Sequence, residues 1–348
     1  MSDRLRRILD LHFDPAFGSP YWLRRLHAGQ CPPPDEIRSL EDLSRFGTFD
    51  LALLCRHPVE DFIPKAVRAR ASLVLAETGG TSGIPASTAY TREDFEDAFI
   101  KPFLHTTRAT TFGEGHWLWL GPGGPHIIGK AAQRIASLTT GSDAFSVDFD
   151  PRWFRRLAPG SVARERYLGH VLEQAHRVLA HQDVRYLFST PVVLQALGEA
   201  LPDAVGERIR FIYLGGMPVR GPALVTLGQH FPNAQFLAGY GNTLFGVVHE
   251  LAPASATDRP RTYLPESDRL IARVVPTGES SEAHRCDQRV VPGTRGQVML
   301  HRLDESAFLP CVLERDSAER VDCGEAQDGL RDPDALQTSR FTPDSGIY

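Results

Sequence analysis

Short apolar runs alternate along this chain with longer segments in which apolar positions recur every three or four residues. The first pattern is typical of buried strands and the second of amphipathic helices. Strands are predicted at residues 71–76, 117–120, 145–149, 184–188 and 209–214. Because they alternate with helical segments, the pattern predicts an α/β fold with mainly parallel sheets that bind ligands at the carboxyl ends of their strands.

The helical segments differ in character along the chain. Residues 1–70 are predicted to form a helical layer interrupted by prolines, with a helix start at residues 39–42. Residues 92–105 predict an amphipathic helix, because Thr91 and Asp94 have the spacing of a capping box before an apolar stripe. Further helices are predicted at residues 131–137, 167–181 and 192–201.

A glycine-rich segment directly follows the first predicted strand. It reads Glu77-Thr78-Gly79-Gly80-Thr81-Ser82-Gly83-Ile84-Pro85. Glycines allow consecutive backbone N–H groups to point towards one anion, and Thr and Ser hydroxyls add further donors. The segment therefore predicts a polyphosphate-binding loop, although it lacks the lysine of a P-loop. A flexible surface turn is the alternative interpretation.

A second candidate segment, residues 121–130, connects the aromatic strand at 117–120 to the next helix. His126 lies where that helix begins, and a helix N-terminus favours a carboxylate or an acyl phosphate. Lys130 could pair with a phosphate as a point charge. A hydrogen-bonded loop histidine and a helix-surface lysine are the corresponding structural alternatives.

The composition of the chain argues against nucleic-acid and membrane partners. The 348 residues carry a net charge of −5 without long blocks of one sign, so no nucleic-acid partner is expected. The basic cluster at residues 152–156 is interpreted as a helix start with a solvated face. No signal-peptide core and no apolar stretch of about 18 residues occur, so we expect no membrane partner and a cytoplasmic location.

Five cysteines are scattered along the chain: Cys31, Cys55, Cys286, Cys311 and Cys323. Their spacing matches no metal site, and the simplest expectation is five reduced thiols.

Residues 78–85 resemble the phosphate-binding loop of the adenylate-forming superfamily, which includes acyl-CoA ligases, peptide-synthetase adenylation domains and luciferases. Four later segments resemble further motifs of that family in the same order. They are Leu187-Phe188-Ser189-Thr190-Pro191, Ile212-Tyr213-Leu214-Gly215-Gly216-Met217-Pro218-Val219, Ala238-Gly239-Tyr240-Gly241-Asn242-Thr243, and residues 293–303 with 310–316. The residues in these motifs are most similar to those of phenylacetate–CoA ligases and of the acyl-protein synthetases of bacterial fatty-acid reductase complexes.

The resemblance implies the large N-terminal lobe of an adenylate-forming enzyme, with a core lobe at residues 71–320, a small β region, and an irregular tail at 321–348. It implies that ATP activates a small-molecule carboxylic acid as an acyl adenylate, which then passes to a thiol. An aryl acid is slightly favoured, because Trp117, Trp119 and Tyr213 lie near the implied pocket.

The resemblance also implies site residues. The implied catalytic residues are His126, Thr243 and Lys130. The implied nucleotide-binding residues are Thr78, Gly79, Gly80, Thr81, Ser82, Gly83, Gly215, Gly216, Met217, Tyr240, Gly241, Asn242, Thr243, Arg315 and Asp316.

Several positions depart from the family pattern. Met217 and Leu244 stand where the family has glutamates, and the second of those glutamates helps to position magnesium. Mg²⁺ would then bind mainly through phosphate oxygens and water, which this cation tolerates. The ribose-binding aspartate position falls on Ala318, and Asp316 is the nearest carboxylate.

Full-length relatives carry a C-terminal domain with a catalytic lysine, whereas this chain has three lysines, Lys65, Lys101 and Lys130. Three interpretations remain open: an activating component that works with a reductase or carrier-protein partner, a catalytically degenerate nucleotide-binding or partner-binding lobe, and a self-sufficient acyl-CoA ligase. Coenzyme A is therefore an uncertain acceptor. Cys311 or Cys323 is a candidate acyl carrier, with an inert thiol as the alternative.

Overall fold

The computed structural model describes residues 3–80, 84–256, 259–278, 286–324 and 327–336. The α-helices are α1 Asp3–His12, α2 Pro20–His27, α3 Leu53–Arg56, α4 Lys65–Arg70, α5 Arg92–Phe95, α6 Lys101–Thr106, α7 Ile127–Thr140, α8 Pro151–Arg156, α9 Val162–His181, α10 Pro191–Ala200, α11 Asp203–Gly206 and α12 Gly221–His230. Short 3-10 helices cover Pro34–Glu36, Glu41–Phe46 and Val59–Asp61, and a π-helical turn covers Glu96–Ile100. The strands are β1 Leu73–Glu77, β2 Ser87–Thr91, β3 His116–Gly121, β4 Phe145–Asp148, β5 Val184–Ser189, β6 Phe211–Leu214, β7 Gln235–Asn242, β8 Gly246–Glu250, β9 Thr262–Leu264, β10 Leu270–Val275, β11 Arg295–Leu303, β12 Phe308–Asp322 and β13 Asp328–Ala335.

The large sheet has the strand order β10-β11-β12-β13-β9-β8-β7-β6-β5-β3-β4. Its half from β4 to β7 is parallel, and every strand pair from β7 to β10 is antiparallel. Helices α9, α10 and α12 cover one face of the parallel half, and α7 covers the other. The predicted α/β class, with parallel strands flanked by helices plus a β region, is confirmed.

Strands β1 and β2 form a separate antiparallel hairpin, with a register from Leu73 opposite Thr91 to Glu77 opposite Ser87. The glycine-rich segment connects its two strands. At the end of β2, the predicted capping box is present, because Thr91 accepts from the Asp94 N–H and the Asp94 side chain accepts from the Thr91 N–H. The hairpin is therefore fixed directly to the helical segment that follows it.

The N-terminal helices pack against the antiparallel half of the sheet. Leu5 and Ile8 of α1 are fully buried in the same apolar cluster as Phe308 of β12. The Trp22 indole N–H donates to the Phe308 carbonyl oxygen at 3.1 Å. Residues 3–70 thus share a core with the β region, and the boundaries 1–70 and 71–320 stay a prediction.

The predicted irregular tail at 321–348 was wrong for the residues that form β12 and β13. Strand β13 lies between β12 and β9 and pairs with both. Its Asp328 is fully buried, and its carboxylate accepts from the Val274 N–H at 2.9 Å and from Arg320 Nε at 2.7 Å. A segment rich in Asp, Gly and Pro forms a strand here because ladder bonds and a buried ion pair replace the missing apolar residues. Residues 337–348 lie outside the described residues.

Three buried histidines make the stability of this fold depend on pH. Burial lowers the pKa of His12 to about 4 and the pKa values of His249 and His301 to about 3. An unfolded histidine titrates near pH 6.5. Between these values the histidines of the unfolded chain bind up to three more protons than those of the folded chain, so their contribution to stability is complete above about pH 6.5 and falls as pH decreases. Burial raises the pKa of Glu314 to about 7, so this carboxyl binds its proton in the folded chain first and offsets one of the three protons.

We expect the free energy of unfolding to decrease by up to about 3 kcal/mol per pH unit as pH falls from 6 towards 5, since three histidine protons are linked to unfolding and the Glu314 proton is linked to folding. Urea unfolding at a series of pH values measures this slope. His301→Gln should reduce the slope by about 1.4 kcal/mol per pH unit, because it removes one of the three histidine protons. A stability that stays constant from pH 7 to pH 5 would show that these histidines are not buried as neutral groups.

Candidate functional site

Directly after β1, two hydrogen bonds between Thr78 and Ala86 close the base of the glycine-rich segment, which we call the neck. The Thr78 N–H donates to the Ala86 carbonyl oxygen, and the Ala86 N–H donates to Thr78 Oγ1, both at 2.9 Å. Gly80 has a φ of +65°, a conformation that residues with a Cβ rarely adopt. The neck thus places Gly79 and Gly80 in a turn at the end of the hairpin. Thr81, Ser82 and Gly83 lie outside the described residues.

The neck touches the second candidate segment, because the Glu77 N–H donates to the Pro125 carbonyl oxygen at 3.1 Å. His126 follows at the N-cap position of α7, and its side chain makes no capping bond. The ring is 4 % exposed, and its Nε2 is buried without a hydrogen-bond partner. Burial lowers the pKa of His126, and the charge of Arg152 contributes. A neutral imidazole with an unpartnered nitrogen therefore lies beside the neck.

Lys130 lies one turn further along α7 and is exposed. Its Nζ donates to the Leu75 carbonyl oxygen of β1 at 2.8 Å, which ties α7 to the hairpin. This contact gives Lys130 a structural role, and its catalytic role stays a prediction.

Two arginines of α8 flank the same neck. Arg155 Nη2 donates to the Gly79 carbonyl oxygen at 2.6 Å, and Arg152 Nη1 lies 3.6 Å from the Glu77 carboxylate. The interpretation of residues 152–156 as a solvated face was therefore wrong for Arg155, which is half-buried. The capping Asp150 and the arginine spacing are visible in the sequence, but the helix orientation that brings them to Gly79 is not.

Several implied nucleotide-binding residues meet at the carboxyl end of β7. The Tyr240 hydroxyl donates to Asp316 Oδ2 at 2.9 Å, and Asn242 Nδ2 donates to Glu314 Oε1 at 3.1 Å. Asn242 Oδ1 accepts from the N–H groups of Leu244 and Phe245, so its side chain is held in one orientation. The structure thus brings Tyr240, Asn242 and Asp316 together and adds Glu314, which sequence reasoning missed.

An irregularity in β12 positions these carboxylates. Gln297 of β11 faces Ser317 and Met299 faces Leu313, so one residue of β11 lies opposite the three residues 314–316. Such a bulge redirects side chains from the regular ladder. Desolvation raises the pKa of Glu314 to about 7, with a contribution from Asp316, and desolvation also raises the pKa of Asp316. The charge of Arg315 opposes both shifts.

The remaining implied residues occupy the same edge of the sheet. Gly215 follows β6, and its N–H donates to the Ser189 carbonyl oxygen at 3.3 Å. Gly216 has a φ of +75°, and the Met217 side chain packs against the apolar cluster of the parallel half. Gly241 and Asn242 are exposed at the end of β7. Since carboxyl ends of parallel strands share one edge, these segments lie at the same edge of the sheet as residues 121–126.

Thr243 connects this edge to the hairpin. Its carbonyl oxygen accepts from the Tyr90 hydroxyl of β2 at 2.8 Å. The segment around Tyr240 and the glycine-rich segment are therefore held by elements that are directly bonded to each other.

A buried ionic network reinforces this connection. Arg302 donates to Thr88 Oγ1 and to the carbonyl oxygens of Ala89 and Leu244, at 2.8–2.9 Å. Asp304 accepts from Arg302 and forms two bonds with Arg269, and all three side chains are at most 2 % exposed. Burial alone would raise the pKa of Asp304, but the two arginines lower it. Charges in the interior therefore fix the base of the hairpin.

Two of the three positions that depart from the family pattern are apolar core positions. Leu244 is 4 % exposed and Ala318 is fully buried, and both belong to the cluster that holds the N-terminal helices.

Within the described ranges, no group of three or more His, Cys, Asp or Glu side chains is arranged to hold a metal ion. In that part of the chain, too, no helix is both long and apolar enough to cross a bilayer.

The two candidate acyl-carrier cysteines differ in access. Cys311 is fully buried, its thiol lies 3.2 Å from the Leu43 carbonyl oxygen, and a hydrogen bond to Cys286 together with burial raises its pKa. Such a thiol is not a nucleophile, because the thiolate is the reactive form. Cys323 is exposed, although partial desolvation and the charges of Asp328 and Asp322 raise its pKa.

Solved structures of 2-hydroxyisobutyryl-CoA ligase are similar to this chain. The structure in the thioesterification state is 16 % identical with a TM-score of 0.63, and the match covers 94 % of this chain and 65 % of that chain. The open conformation is 15 % identical with a TM-score of 0.64, over 99 % of this chain and 76 % of that one. Both contain 2-HIB-AMP and CoA.

The postadenylation state of the same ligase, in complex with R3-HIB-AMP, gives 14 % identity and a TM-score of 0.66, over 97 % of this chain and 67 % of that one. The chain therefore spans about two thirds of the length of the first of these ligase structures.

No protein-family model matches the sequence, and neither does any curated protein. The likeness shows that the described residues have the fold of an adenylate-forming acyl-CoA ligase.

Proposed function

We propose that this chain belongs to the adenylate-forming superfamily and uses ATP to convert a carboxylic acid into an acyl adenylate. One observation carries the proposal. The Tyr90–Thr243 and Glu77–Pro125 hydrogen bonds join the glycine-rich segment, the Tyr240 segment and the His126 segment at one edge of the sheet. Motifs that lie far apart in the sequence are thereby held next to each other, where one could bind the nucleotide and another the acid.

In the proposed reaction, a carboxylate oxygen attacks the α-phosphorus of ATP, a new O–P bond forms, and the bond to the β-phosphate breaks to release pyrophosphate. The protein contributes positioning and charge stabilisation. The N–H groups of Gly79 and Gly80 and the hydroxyl of Thr78 would hold the phosphates, with Thr81, Ser82 and Gly83 as further donors. Thr243 would contact the α-phosphate.

The adenosine would lie at the carboxyl ends of β6 and β7. The half-buried Gly216 would present its backbone to the base, with Gly215, Met217 and Tyr240 beside it. Asp316, fixed by the Tyr240 hydroxyl, would accept from a ribose hydroxyl, and Arg315 would stay near this carboxylate. This assignment uses the residues that the β12 bulge carries towards β7.

The acid would bind beside His126. Its Nε2 has no partner and can donate to a carboxylate oxygen when that nitrogen carries the ring proton. The rings of Trp119 and Phe188 meet edge to face and those of Phe188 and Tyr213 are tilted, with centroids 4.5 and 4.1 Å apart. These rings and Trp117 are at most 2 % exposed and pack in one core cluster, so the aryl acid stays a proposal that rests on the sequence resemblance.

Magnesium, when bound, neutralises charge on the phosphates of ATP. Phosphate oxygens and water would be its main ligands in this proposal, since Leu244 is an apolar core residue. The thiol acceptor would be coenzyme A, the thiol of a carrier or reductase partner, or the exposed Cys323, since Cys311 is buried.

A second candidate function is nucleotide or partner binding without catalysis. It is favoured by Leu244 and Ala318, which fill the core where the family pattern has carboxylates. Acid-dependent ATP–pyrophosphate exchange distinguishes the two functions. We expect exchange with at least one acid in a panel of aryl, hydroxy and fatty acids. Binding of ATP without exchange for any acid, with or without coenzyme A, would favour the non-catalytic function.

Gly80→Ala should reduce the exchange rate at least tenfold. The change forces a Cβ into a left-handed conformation, at a cost of about 1–2 kcal/mol, and displaces the N–H groups that face the phosphates. Gly29→Ala is the matched control, since Gly29 has a φ of +64° and lies at an exposed position with nothing within 4 Å of an added Cβ. Both variants should lose similar stability in thermal unfolding. Equal exchange rates in the two variants would exclude the glycine-rich segment from the reaction.

A further inference from the structure

We propose that Arg152 and Arg155 form a cationic pair that contacts the β- and γ-phosphates of ATP beside Gly79. The inference rests on the proposed function, because it assigns two additional contacts to the same nucleotide. It gives α8, which neither the motifs nor the composition singled out for chemistry, a specific role in phosphate binding.

The position of α8 brings both guanidinium groups to the start of the glycine-rich segment. Arg155 reaches the Gly79 carbonyl oxygen at 2.6 Å, and Arg152 reaches towards the Glu77 carboxylate at 3.6 Å. A guanidinium has five N–H donors in a planar fork, so a group that bonds a carbonyl oxygen can also donate to phosphate oxygens. The pair is therefore within reach of an anion held by the N–H groups of Gly79 and Gly80.

The local charges favour an additional anion. Burial lowers the pKa of Arg155, and repulsion from Arg152 adds to this effect, while Asp150 opposes it. The Arg152 guanidinium lies 3.6 Å from the Glu77 carboxylate and 3.7 Å from the Asp150 carboxylate, and Asp148 accepts from the Gly123 N–H. Both ion-pair distances exceed that of a charge-assisted hydrogen bond, so a polyphosphate could bind Arg152 more tightly than these carboxylates do.

His126 supplies an independent indication of a ligand at this place. Its Nε2 is buried and unpartnered, and a buried polar atom without a hydrogen bond is unfavourable. Burial and the charge of Arg152 lower its pKa, Asp150 and Glu77 oppose this, and Arg155 adds a smaller effect, so charges of both signs act on the ring. A ligand oxygen in this space could meet the imidazole and a guanidinium together.

The lysines of the chain have other contacts or positions in the structure. The chain has three of them, and Lys130 bonds the Leu75 carbonyl oxygen, Lys101 pairs with Asp97, and Lys65 lies on α4. Arginine also suits a polyphosphate better, since its fork can bind two phosphate oxygens at once.

Calorimetric titration with ATP and with AMP, both in the presence of Mg²⁺, tests the pair. Arg155→Gln and Arg152→Gln should each weaken ATP binding by about tenfold to a hundredfold, as expected for loss of a charge-assisted contact. AMP has no β- or γ-phosphate, so its affinity should change less than threefold. Arg156→Gln is the matched control, because Arg156 is an exposed residue of the same helix and the change removes the same charge. Arg155→Lys should recover part of the ATP affinity.

Each outcome separates this inference from the proposed function. Unchanged ATP affinity in both variants, in a protein that binds ATP, would overturn the pair and leave the proposed function standing. Equal losses for ATP and AMP would also overturn it, because the arginines would then support the loop or the adenosine rather than the outer phosphates. A wild-type protein that binds no ATP would contradict both. Thermal unfolding of each variant confirms that it is folded.

Discussion

A chain that ends at Gly324 should lose cooperative unfolding. Strand β13 lies inside the sheet, so its removal breaks the pairings with β12 and β9 and leaves an exposed gap between them. It also removes the buried Asp328, the partner of Arg320 and Arg289. Loss of one member of a buried ion pair alone costs about 3–5 kcal/mol, a large share of the 5–15 kcal/mol that typically stabilises a domain.

The comparison is with a chain that ends at Leu336, which retains all of β13. Thermal unfolding followed by circular dichroism measures both chains, and the difference isolates the contribution of the strand. We expect a cooperative transition only in the longer chain. A chain ending at Gly324 with the melting temperature of the longer chain would show that β13 is dispensable.

Asp304→Asn should destabilise the protein by about 3–5 kcal/mol. The carboxylate compensates Arg269 and Arg302, and its loss would leave two buried cations without a counter-charge. Because Arg302 also bonds Thr88, Ala89 and Leu244, the hairpin that carries the glycine-rich segment should become less ordered. Urea unfolding at pH 7 gives the change in free energy, and limited proteolysis between β1 and β2 reports the change in order.

Asp268→Asn is the matched control for this variant. Asp268 pairs with Arg4, but its side chain is 55 % exposed, so the same chemical change should cost less than about 1 kcal/mol. If Asp304→Asn and Asp268→Asn lowered the free energy of unfolding equally, the buried ionic network would contribute no more to stability than an exposed ion pair does.

The parallel half of the fold could be predicted from sequence because its signals are local. The run at Trp117–Leu120 has no polar residue and becomes β3, and the capping box at Thr91 marks the helix start that the structure has. The glycine-rich and Tyr-Gly segments were likewise each identified from a few residues, and the Tyr90–Thr243 hydrogen bond joins the elements that carry them. In each case a few neighbouring residues determine the result.

Features that depend on distant partners could not be predicted. Arg302 and Asp304 are charged residues, typical of a surface, and only partners far along the chain make their burial favourable. Strand β13 has few apolar residues, and it forms because β12 and β9 offer their edges. Glu314 reaches Asn242 through a bulge that depends on the β11 register, and Arg155 reaches Gly79 through the orientation of α8.

Transfer of isotope from the acid to AMP tests the proposed chemistry most directly. The protein is incubated with ATP, Mg²⁺, hydroxylamine as the acceptor and an acid that supports exchange, labelled with ¹⁸O in both carboxylate oxygens. We expect mass spectrometry to detect AMP with one ¹⁸O atom, because the attacking carboxylate oxygen stays on phosphorus when hydroxylamine cleaves the acyl adenylate. Unlabelled AMP, or label in inorganic phosphate together with ADP, would contradict activation through an acyl adenylate.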